Sequence, residues 1–320
     1  MITDPDARLC LSNLGWVDHG SVWTYNADTR EAGSVRMGDA AYLSLSAGVG
    51  GHFAAVHHWD GSRLAITVQT YGRPDVPLSR IDVSGWTATA EGDPGVWSTV
   101  PALYVGYLND DATGAAGYFA ISVADGAAAV RRLDWFNSTT YDLGYQGVVS
   151  AVVVPETGDF LFGVQRSSDL VLVDPSTGSV SRRVTLANRG GNPHPRLSAR
   201  GEFAWVLDYD TLVRLDLRTW TVTQSAHLQP AQNGSRMFVG DPWIQPDEAR
   251  IVVPRPGSGD ALILDPNDLS TSATVGLGIE PICAVLLQGG RIVGREWKTG
   301  QLVQGQLPEE PTRRRRWGRR

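Results

Sequence analysis

The sequence of 320 residues has few cysteines and no long apolar run, and each of these absences excludes a class of protein. Two cysteines, Cys10 and Cys283, are too few for a disulfide framework or for a cysteine-based zinc site. No stretch approaches the roughly 18 apolar residues of a membrane-spanning helix, and the first residues lack the pattern of a secretory leader. We therefore expect a cytoplasmic protein without a transmembrane segment, whose cysteines are buried free thiols.

The motifs of several common enzymes are also missing. The serines lack a Gly-x-Ser-x-Gly elbow, and no strand is followed by a Gly-Lys-Ser/Thr or Gly-x-Gly-x-x-Gly loop that would bind phosphates. The formal net charge is -6 although six arginines lie in the last eight residues, so the remaining body is close to -12. A body this acidic is a poor general binder of nucleic acid.

A repeated pattern of four strands is the strongest positive signal in the sequence. Residues 148–186 contain four short β-prone runs separated by Pro-Glu-Thr-Gly and Pro-Ser-Thr-Gly turns. The third run ends in an acid, and similar acids recur 40 to 52 residues apart, at Asp39, Asp82, Asp134, Asp174, Asp216 and Asp265. A period of about 45 residues predicts an all-β protein, a seven-bladed β-propeller of four-stranded antiparallel blades. Six blades stay an alternative because the first repeat is the least regular.

Glycine and proline precede the first strand of most repeats, where the chain crosses from one blade to the next. We therefore expect one propeller domain over residues 1–307. The predicted blades are 9–48, 52–92, 99–145, 148–188, 194–230, 241–278 and 281–307. The last blade lacks a fourth strand, so residues before Arg8 complete it, or its edge stays short and is covered by the tail.

This combination of glycine and proline entries with the sequence Val-Asp-Pro-Ser-Thr-Gly at residues 173–178 resembles the YVTN-type and lactonase-like β-propeller repeats, a branch of the WD40-like group. The resemblance covers nearly the whole chain and implies the fold. It leaves the function open, since such propellers include enzymes, ligand binders and scaffolds. The paired Gly-His and Trp-Asp of true WD40 repeats do not recur here.

The blade entries of a propeller crowd one end of its central channel, and we expect any site to lie there. The residues predicted to line this channel mouth are polar or aromatic: His52, Trp97, Gln146, Asn192, His194, Arg236, Trp243 and Glu280. Four of them, His52, Gln146, His194 and Glu280, carry oxygen or imidazole groups that suit manganese, calcium or zinc. The catalytic residues, if the protein is an enzyme, are not identifiable from the sequence.

Three functional classes fit these residues. The first is a binding or scaffold propeller that recognises a protein partner or a small ligand at the channel mouth, because it requires no catalytic motif. The second is a metal-assisted lyase, hydrolase or lactonase with its site at the same mouth. The third is a carbohydrate-binding propeller, although the tryptophans do not fall at one repeat position.

The end of the chain differs in composition from the rest. Residues 308–320 combine a Pro-Glu linker with an arginine-rich tail that cannot form a core, and we expect them to be disordered. Such a tail can contact an acidic partner, RNA or an anionic membrane surface, with an attraction that weakens as salt is added.

Overall fold

The computed structural model describes a set of ranges spread over the whole chain. They are residues 2–3, 7–13, 21–36, 44–47, 52–60, 63–70, 73–82, 104–110, 115–124, 127–132, 148–164, 167–174, 177–186, 191, 193–198, 200–228, 239–245, 247–278, 280–296 and 299–308. Side chains are described for residues 7–8 and 23–34 and, within the same ranges, from Val152 onward.

Short β-strands dominate the described residues. Sheets 1 to 3 contain β1 (Ile2–Thr3), β2 (Leu9–Asn13), β3 (Ser21–Asn26), β4 (Ala32–Arg36); β5 (Ser44–Ala47), β6 (His52–Asp60), β7 (Arg63–Thr70), β8 (Arg73–Asp82); β9 (Tyr104–Asp110), β10 (Ala115–Ala124) and β11 (Ala127–Arg132). Sheets 4 and 5 contain β12 (Val148–Val153), β13 (Phe160–Val164), β14 (Asp169–Val173), β15 (Val180–Thr185); β16 (Pro193–Leu197), β17 (Phe203–Asp208), β18 (Thr211–Asp216) and β19 (Thr221–His227). Sheets 6 and 7 contain β20 (Trp243–Ile244), β21 (Ile251–Arg255), β22 (Asp260–Leu264), β23 (Thr271–Gly276); β24 (Pro281–Leu287), β25 (Arg291–Glu296) and β26 (Leu302–Gln306).

Each sheet is an antiparallel meander in which strands pair in chain order. Five sheets have four strands, and sheets 3 and 7 have three strands each among the described residues. The all-β prediction and the four-stranded antiparallel unit are therefore confirmed. From β12 to β26 the strands also follow the predicted blade segments, with β26 in the predicted third position of the last segment.

The strand order of the first two sheets corrects the sequence prediction. His52 begins β6, which is the second strand of sheet 2, because β5 precedes it in the same sheet. Asp82 accordingly ends a fourth strand and not a third one. Cys10 lies on β2, the second strand of sheet 1, and not on a first strand.

The expected completion of the last sheet by residues before Arg8 is also wrong. Ile2 and Thr3 pair with Leu11 and Cys10, so they form the first strand of sheet 1. Asp39 and Asp134 lie outside the described residues, as do residues 309–320.

In sheets 4 to 6, burial grows from the outer strand towards the second strand. The second strand β13 is buried at every residue, whereas the fourth strand β15, with the sequence Val-Ser-Arg-Arg-Val-Thr, is almost entirely exposed. The same contrast separates β17 from β19 and β21 from β23. Apolar side chains of neighbouring sheets pack face to face, and these packed layers form the core.

The recurring acid at the end of the third strand holds the following turn. The carboxylates of Asp174 and Asp216 accept the backbone N–H of Thr177 and Thr219, three residues on, and Asp265 accepts that of Asn267. These are side-chain turns that replace missing backbone hydrogen bonds. Turn structure thus explains Asp174, Asp216 and Asp265, the three periodic acids whose side chains are described.

A β-bulge recurs between the third and fourth strands of sheets 4, 5 and 6. Next to each bulge a fourth-strand hydroxyl donates to the carbonyl nine residues earlier. The three pairs are Ser181 to Leu172, Thr223 to Arg214, and Ser272 to Ile263, at 3.1, 3.2 and 3.0 Å. Serine or threonine at this position therefore fixes the register of the outer strand.

Consecutive sheets contact each other, and the last sheet contacts the first. β12 lies against β16, β21 against β24, and β24 against β2. Arg291 of sheet 7 hydrogen-bonds the hydroxyl of Tyr25 in sheet 1, and the N–H of Gln288 donates to the carbonyl of Ala7 at 3.0 Å. None of the helices in the described part of the chain is long and apolar enough to cross a membrane.

Candidate functional site

Equivalent positions on successive first strands bring polar residues together. In sheets 4 to 7, one first-strand residue pairs with the second-strand residue that lies three positions before the end of that strand. These first-strand residues are Val152, Arg196, Trp243 and Val285. Two residues earlier in each sheet stand Ser150, His194, Asp241 and Cys283. A parallel bridge joins Asp241 to Cys283, so sheets 6 and 7 are neighbours at this level. First strands line the channel of a propeller, so these residues form an arc around it.

His194, Arg196 and Asp241 form the core of this arc, and we call these three residues the channel cluster. His194 Nδ1 lies 3.2 Å from one carboxylate oxygen of Asp241, and Arg196 Nη2 donates to the other at 2.8 Å. Arg196 Nη1 also donates to the carbonyl of Pro195 at 2.9 Å. His194 and Arg196 lie two residues apart on β16, so they project from the same face of the strand. Their side chains are 33% and 34% exposed, and that of Asp241 is 46% exposed.

The electrostatics of the channel cluster favour an ionised Asp241. Desolvation raises the pKa of this carboxyl group, but the Arg196 guanidinium and the hydrogen bond with His194 outweigh it and hold the pKa well below its ordinary value. Asp241 is thus a fixed negative charge that keeps Arg196 and His194 in place. A carboxylate on Nδ1 also favours the tautomer of the imidazole that leaves Nε2 unprotonated.

Cys283 continues the arc and lies next to Arg295. The thiol is buried and free. Burial raises its pKa, yet the positive charge around it, including that of Arg295, lowers the pKa overall despite the opposing effect of Asp241. The pKa values of two acidic groups at neighbouring positions of the arc, Asp241 and Cys283, are therefore both lowered.

Sheet 5 carries a polar row where its neighbours carry an apolar one. Its middle row, which pairs across all four strands, reads Arg196, Trp205, Arg214 and Gln224. The corresponding row of sheet 6 reads Trp243, Val252, Ile263 and Ala273. In sheet 5 the guanidinium of Arg214 stacks over the rings of Phe203 and Trp205, 3.7 and 5.4 Å from their centroids.

In sheets 5 and 6, charged groups next to the loop between the second and third strands form pairs, in sheet 5 with His227 at the end of the fourth strand. In sheet 6, Arg255 forms a two-point ion pair with Asp260, at 2.8 and 2.6 Å. In sheet 5, Asp210 lies 3.4 Å from His227 and accepts a hydrogen bond from the hydroxyl of Thr211. The charge of Arg255 is therefore balanced by its neighbour across the same loop.

The structure separates the residues predicted to line the channel mouth. His194 belongs to the channel cluster. Trp243 is only 9% exposed and packs in the apolar core formed mainly by sheets 6 and 7, which leaves little of its surface for a ligand. Glu280 directly precedes β24, with a left-handed backbone at φ 50°. His52 lies at the start of a second strand, the sheet end opposite to the entries of the first strands, so the prediction that it shares their end is wrong.

The other predicted residues are outside the described ranges, namely Trp97, Gln146, Asn192 and Arg236. Of the predicted metal set of His52, Gln146, His194 and Glu280, only His194 and Glu280 have described side chains, so the set stays a prediction. Among the residues that the structure describes, no three histidine, cysteine or carboxylate groups come together to hold a metal ion.

Sequence reasoning missed Asp241 and Arg196. Asp241 stands in the Gly-Asp-Pro-Trp entry motif, from which we selected the tryptophan two residues later. Aligning that motif with Asn-Pro-His-Pro-Arg at residues 192–196 by strand register would have put Asp241 opposite His194 and Trp243 opposite Arg196.

Comparison with known proteins gives the fold. The sequence matches no protein-family model, and it matches no curated protein. The β-propeller domain of Cps50 (Swd1) from Myceliophteria thermophila is similar in structure, with a TM-score of 0.66, 11% identity and 96% of each chain covered. A protein from Lactobacillus plantarum gives 0.60 and 14%, with 94% of this chain and 92% of that chain covered.

A candidate 6-phosphogluconolactonase from Bacteroides uniformis is also similar, with a TM-score of 0.55, 14% identity, and 92% of this chain and 94% of that chain covered. All three identities are low, so the likeness concerns the fold and not the activity. Because it extends over more than nine tenths of the chain, the protein has the β-propeller fold found in WD40-like and lactonase-like proteins.

Proposed function

We propose that the protein is a binding or scaffold propeller that recognises a protein partner or a small ligand at one end of its central channel. The observation that carries this proposal is the channel cluster, in which three charged or titratable side chains stay partly exposed where first strands meet. The polar row behind it supports the same view. Packing alone is satisfied by apolar residues at the equivalent positions of sheet 6, so the polar residues of sheet 5 serve another purpose.

The proposal includes a closed ring of seven blades, one for each sheet. Contacts between sheet 7 and sheet 1 support closure, through Arg291 with Tyr25 and through Gln288 with Ala7. Residues 1–307 would form this single domain. Residues 308–320 would remain a disordered, basic tail that contacts an acidic partner, RNA or an anionic membrane, and we propose a cytoplasmic location for the whole protein.

Comparative affinity capture tests the binding function. Wild-type protein, Arg196→Gln and the control Arg183→Gln serve as baits at equal concentration, and captured proteins and small molecules are quantified by mass spectrometry. Arg183 is a matched control because it also loses one positive charge, but on the exposed outer strand β15, where it faces Asp169 at 3.6 Å.

We expect at least one component to bind the wild type and the control and to be lost with Arg196→Gln. If everything captured by the wild type is also retained by Arg196→Gln, the channel cluster is not the binding site.

The second candidate is a metal-assisted lyase, hydrolase or lactonase. The His194–Asp241 pair supports it, because a carboxylate on Nδ1 orients an imidazole for proton transfer or for a metal ion such as manganese, calcium or zinc. Elemental analysis of the purified protein and an assay of 6-phosphogluconolactone hydrolysis test this candidate. Stoichiometric metal, or turnover above the spontaneous rate, that is lost in His194→Gln would favour the enzyme over the scaffold.

A further inference from the structure

Positive charge converges on the channel cluster although the body of the protein is acidic. Arg196 and His194 reach it from sheet 5, and Arg295 of sheet 7 lies behind Cys283. Asp241 contacts both His194 and Arg196, so one carboxylate accompanies two cationic or potentially cationic groups. Arg196 and His194 therefore present two basic side chains, both partly exposed, on the same face of β16.

The pKa values of two groups reflect the nearby positive charge. Asp241 and Cys283 occupy equivalent positions on different sheets, and desolvation opposes the ionisation of both. Nevertheless, the pKa of each is lowered, in the first case mainly by Arg196 and in the second by surrounding positive charge that includes Arg295. The basic side chains that lower the pKa of Asp241 and of the Cys283 thiol also favour an anionic ligand.

We propose that the channel cluster binds the anionic group of a ligand, a carboxylate or a phosphate, with Arg196 and His194 as its contacting residues. This inference rests on the proposed function, in that it names the chemistry recognised at the same end of the channel. Asp241 has two roles: it orients both cationic side chains, and its own charge competes with the ligand for them.

Ligand-observed NMR on the full-length protein tests the proposal without knowledge of the natural ligand. The probes are inorganic phosphate, followed by ³¹P line broadening, and acetate, followed by saturation transfer, both at constant ionic strength in chloride. Arg196→Gln is expected to weaken anion binding about tenfold, since a charged hydrogen bond is lost. Asp241→Asn is expected to strengthen binding about fivefold, because a competing negative charge is removed.

The opposite signs of these two effects distinguish the proposal from general damage to the site. Arg183→Gln is the matched charge control and should bind like the wild type. Broadening of phosphate alone assigns a phosphate ligand, a response of acetate alone assigns a carboxylate, and both responses assign a shared oxyanion site. The proposal is overturned if neither anion binds the wild type or Asp241→Asn, or if Asp241→Asn weakens binding as Arg196→Gln does.

Failure of this inference can be told apart from failure of the proposed function. If anions bind but no captured component depends on Arg196, the inference stands and the scaffold function is rejected. Capture that depends on Arg196 without anion binding would leave the scaffold and remove the inference.

Discussion

Sheets 5 and 6 are adjacent, have the same strand order and carry the same bulge, yet their middle rows differ completely in chemistry. Sheet 6 has Val252 and Ile263 where sheet 5 has Trp205 and Arg214. Trp205 packs in the layer between sheets 5 and 6, whereas Val252 and Ile263 pack in the layer between sheets 6 and 7. The four residues nevertheless occupy equivalent positions in their sheets, so backbone geometry does not require the polar pair. The difference teaches that one repeat can be specialised while its neighbours preserve the packing pattern.

The first strands extend this contrast towards the channel. Sheet 5 contributes a histidine and an arginine to the channel cluster, whereas sheet 6 contributes one carboxylate and then a buried tryptophan. The two sheets therefore complement each other in charge at the channel and differ in polarity inside.

Truncating the aromatic residue of the polar row tests whether that row is still part of the core. Trp205 is 2% exposed, so Trp205→Ala is expected to cost about 3–5 kcal/mol in the free energy of unfolding. Leu161→Ala, at the equivalent position of sheet 4, is the matched control and should cost about 2–5 kcal/mol. Urea denaturation followed by circular dichroism measures both, and a cost for Trp205→Ala below 1 kcal/mol would show that the row is not packed as described.

The charged pairs beside the loops between second and third strands should contribute different amounts to stability in the two sheets. Arg255 and Asp260 are 16% and 15% exposed, so Arg255→Met leaves a mostly buried carboxylate and should destabilise the protein by about 3 kcal/mol. In sheet 5, His227 is 59% exposed, and His227→Ala should cost no more than about 0.5 kcal/mol. Equal losses in thermal unfolding would contradict the difference in burial.

The turn acid of sheet 5 should contribute a smaller, pH-dependent amount to the free energy of unfolding. Asp216→Ala is expected to cost about 1 kcal/mol at neutral pH, because Thr219 loses its hydrogen-bond acceptor. The backbone hydrogen bond from Thr219 lowers the pKa of Asp216 below 3.8 in the folded protein. A lowered folded-state pKa stabilises the fold fully above the unfolded-state pKa, and this stabilisation is lost as the pH falls through the folded-state pKa. The contribution of Asp216 should therefore disappear as the pH falls below about 3.8.

Unfolding of the wild type and Asp216→Asn between pH 2.5 and 7 checks the sign of that effect. The amide still accepts a hydrogen bond but does not titrate, so the two stability curves should converge in acid. Curves that stay parallel over the whole range would exclude a contribution from the charge of Asp216.

Giving sheet 5 the residue of sheet 4 should have the smallest effect on stability. Arg214 occupies the position of Leu172, and Arg214→Leu exchanges stacking of about 0.5–1 kcal/mol for apolar packing of similar size. We expect a change within about 1 kcal/mol by urea denaturation. Phosphate and acetate binding, measured on the same variant, should be unchanged, and loss of anion binding would extend the site along the row.

The sequence predicted the propeller because the residues that recur along it are turn residues. Asp174, Asp216 and Asp265 hold turns of similar construction, and turn residues act locally, so their period is visible without coordinates. The prediction failed in sheet 2 because glycines at residues 48–51 resemble a connection between blades but come between β5 and β6 of one sheet.

The candidate site was less predictable because it depends on register across sheets. His194 was identified from its entry motif, but its partner Asp241 is 47 residues away, and a shift of two residues exchanges Asp241 for the buried Trp243. Local propensity does not fix which residues of two strands face each other across a channel. Only the pairing of each first strand with its own second strand supplies that information.

The repeated bulge with its hydroxyl has a consequence for how these molecules behave in a crowded solution. Outer strands such as β15 and β19 carry unpaired backbone groups that could recruit a strand from another molecule. A bulge coils the edge and interrupts the straight row of hydrogen-bonding groups on which such stacking depends. We therefore expect Ser181, Thr223 and Ser272 to protect against polymerisation, and replacing all three with valine should make the protein form fibrils sooner without changing its channel.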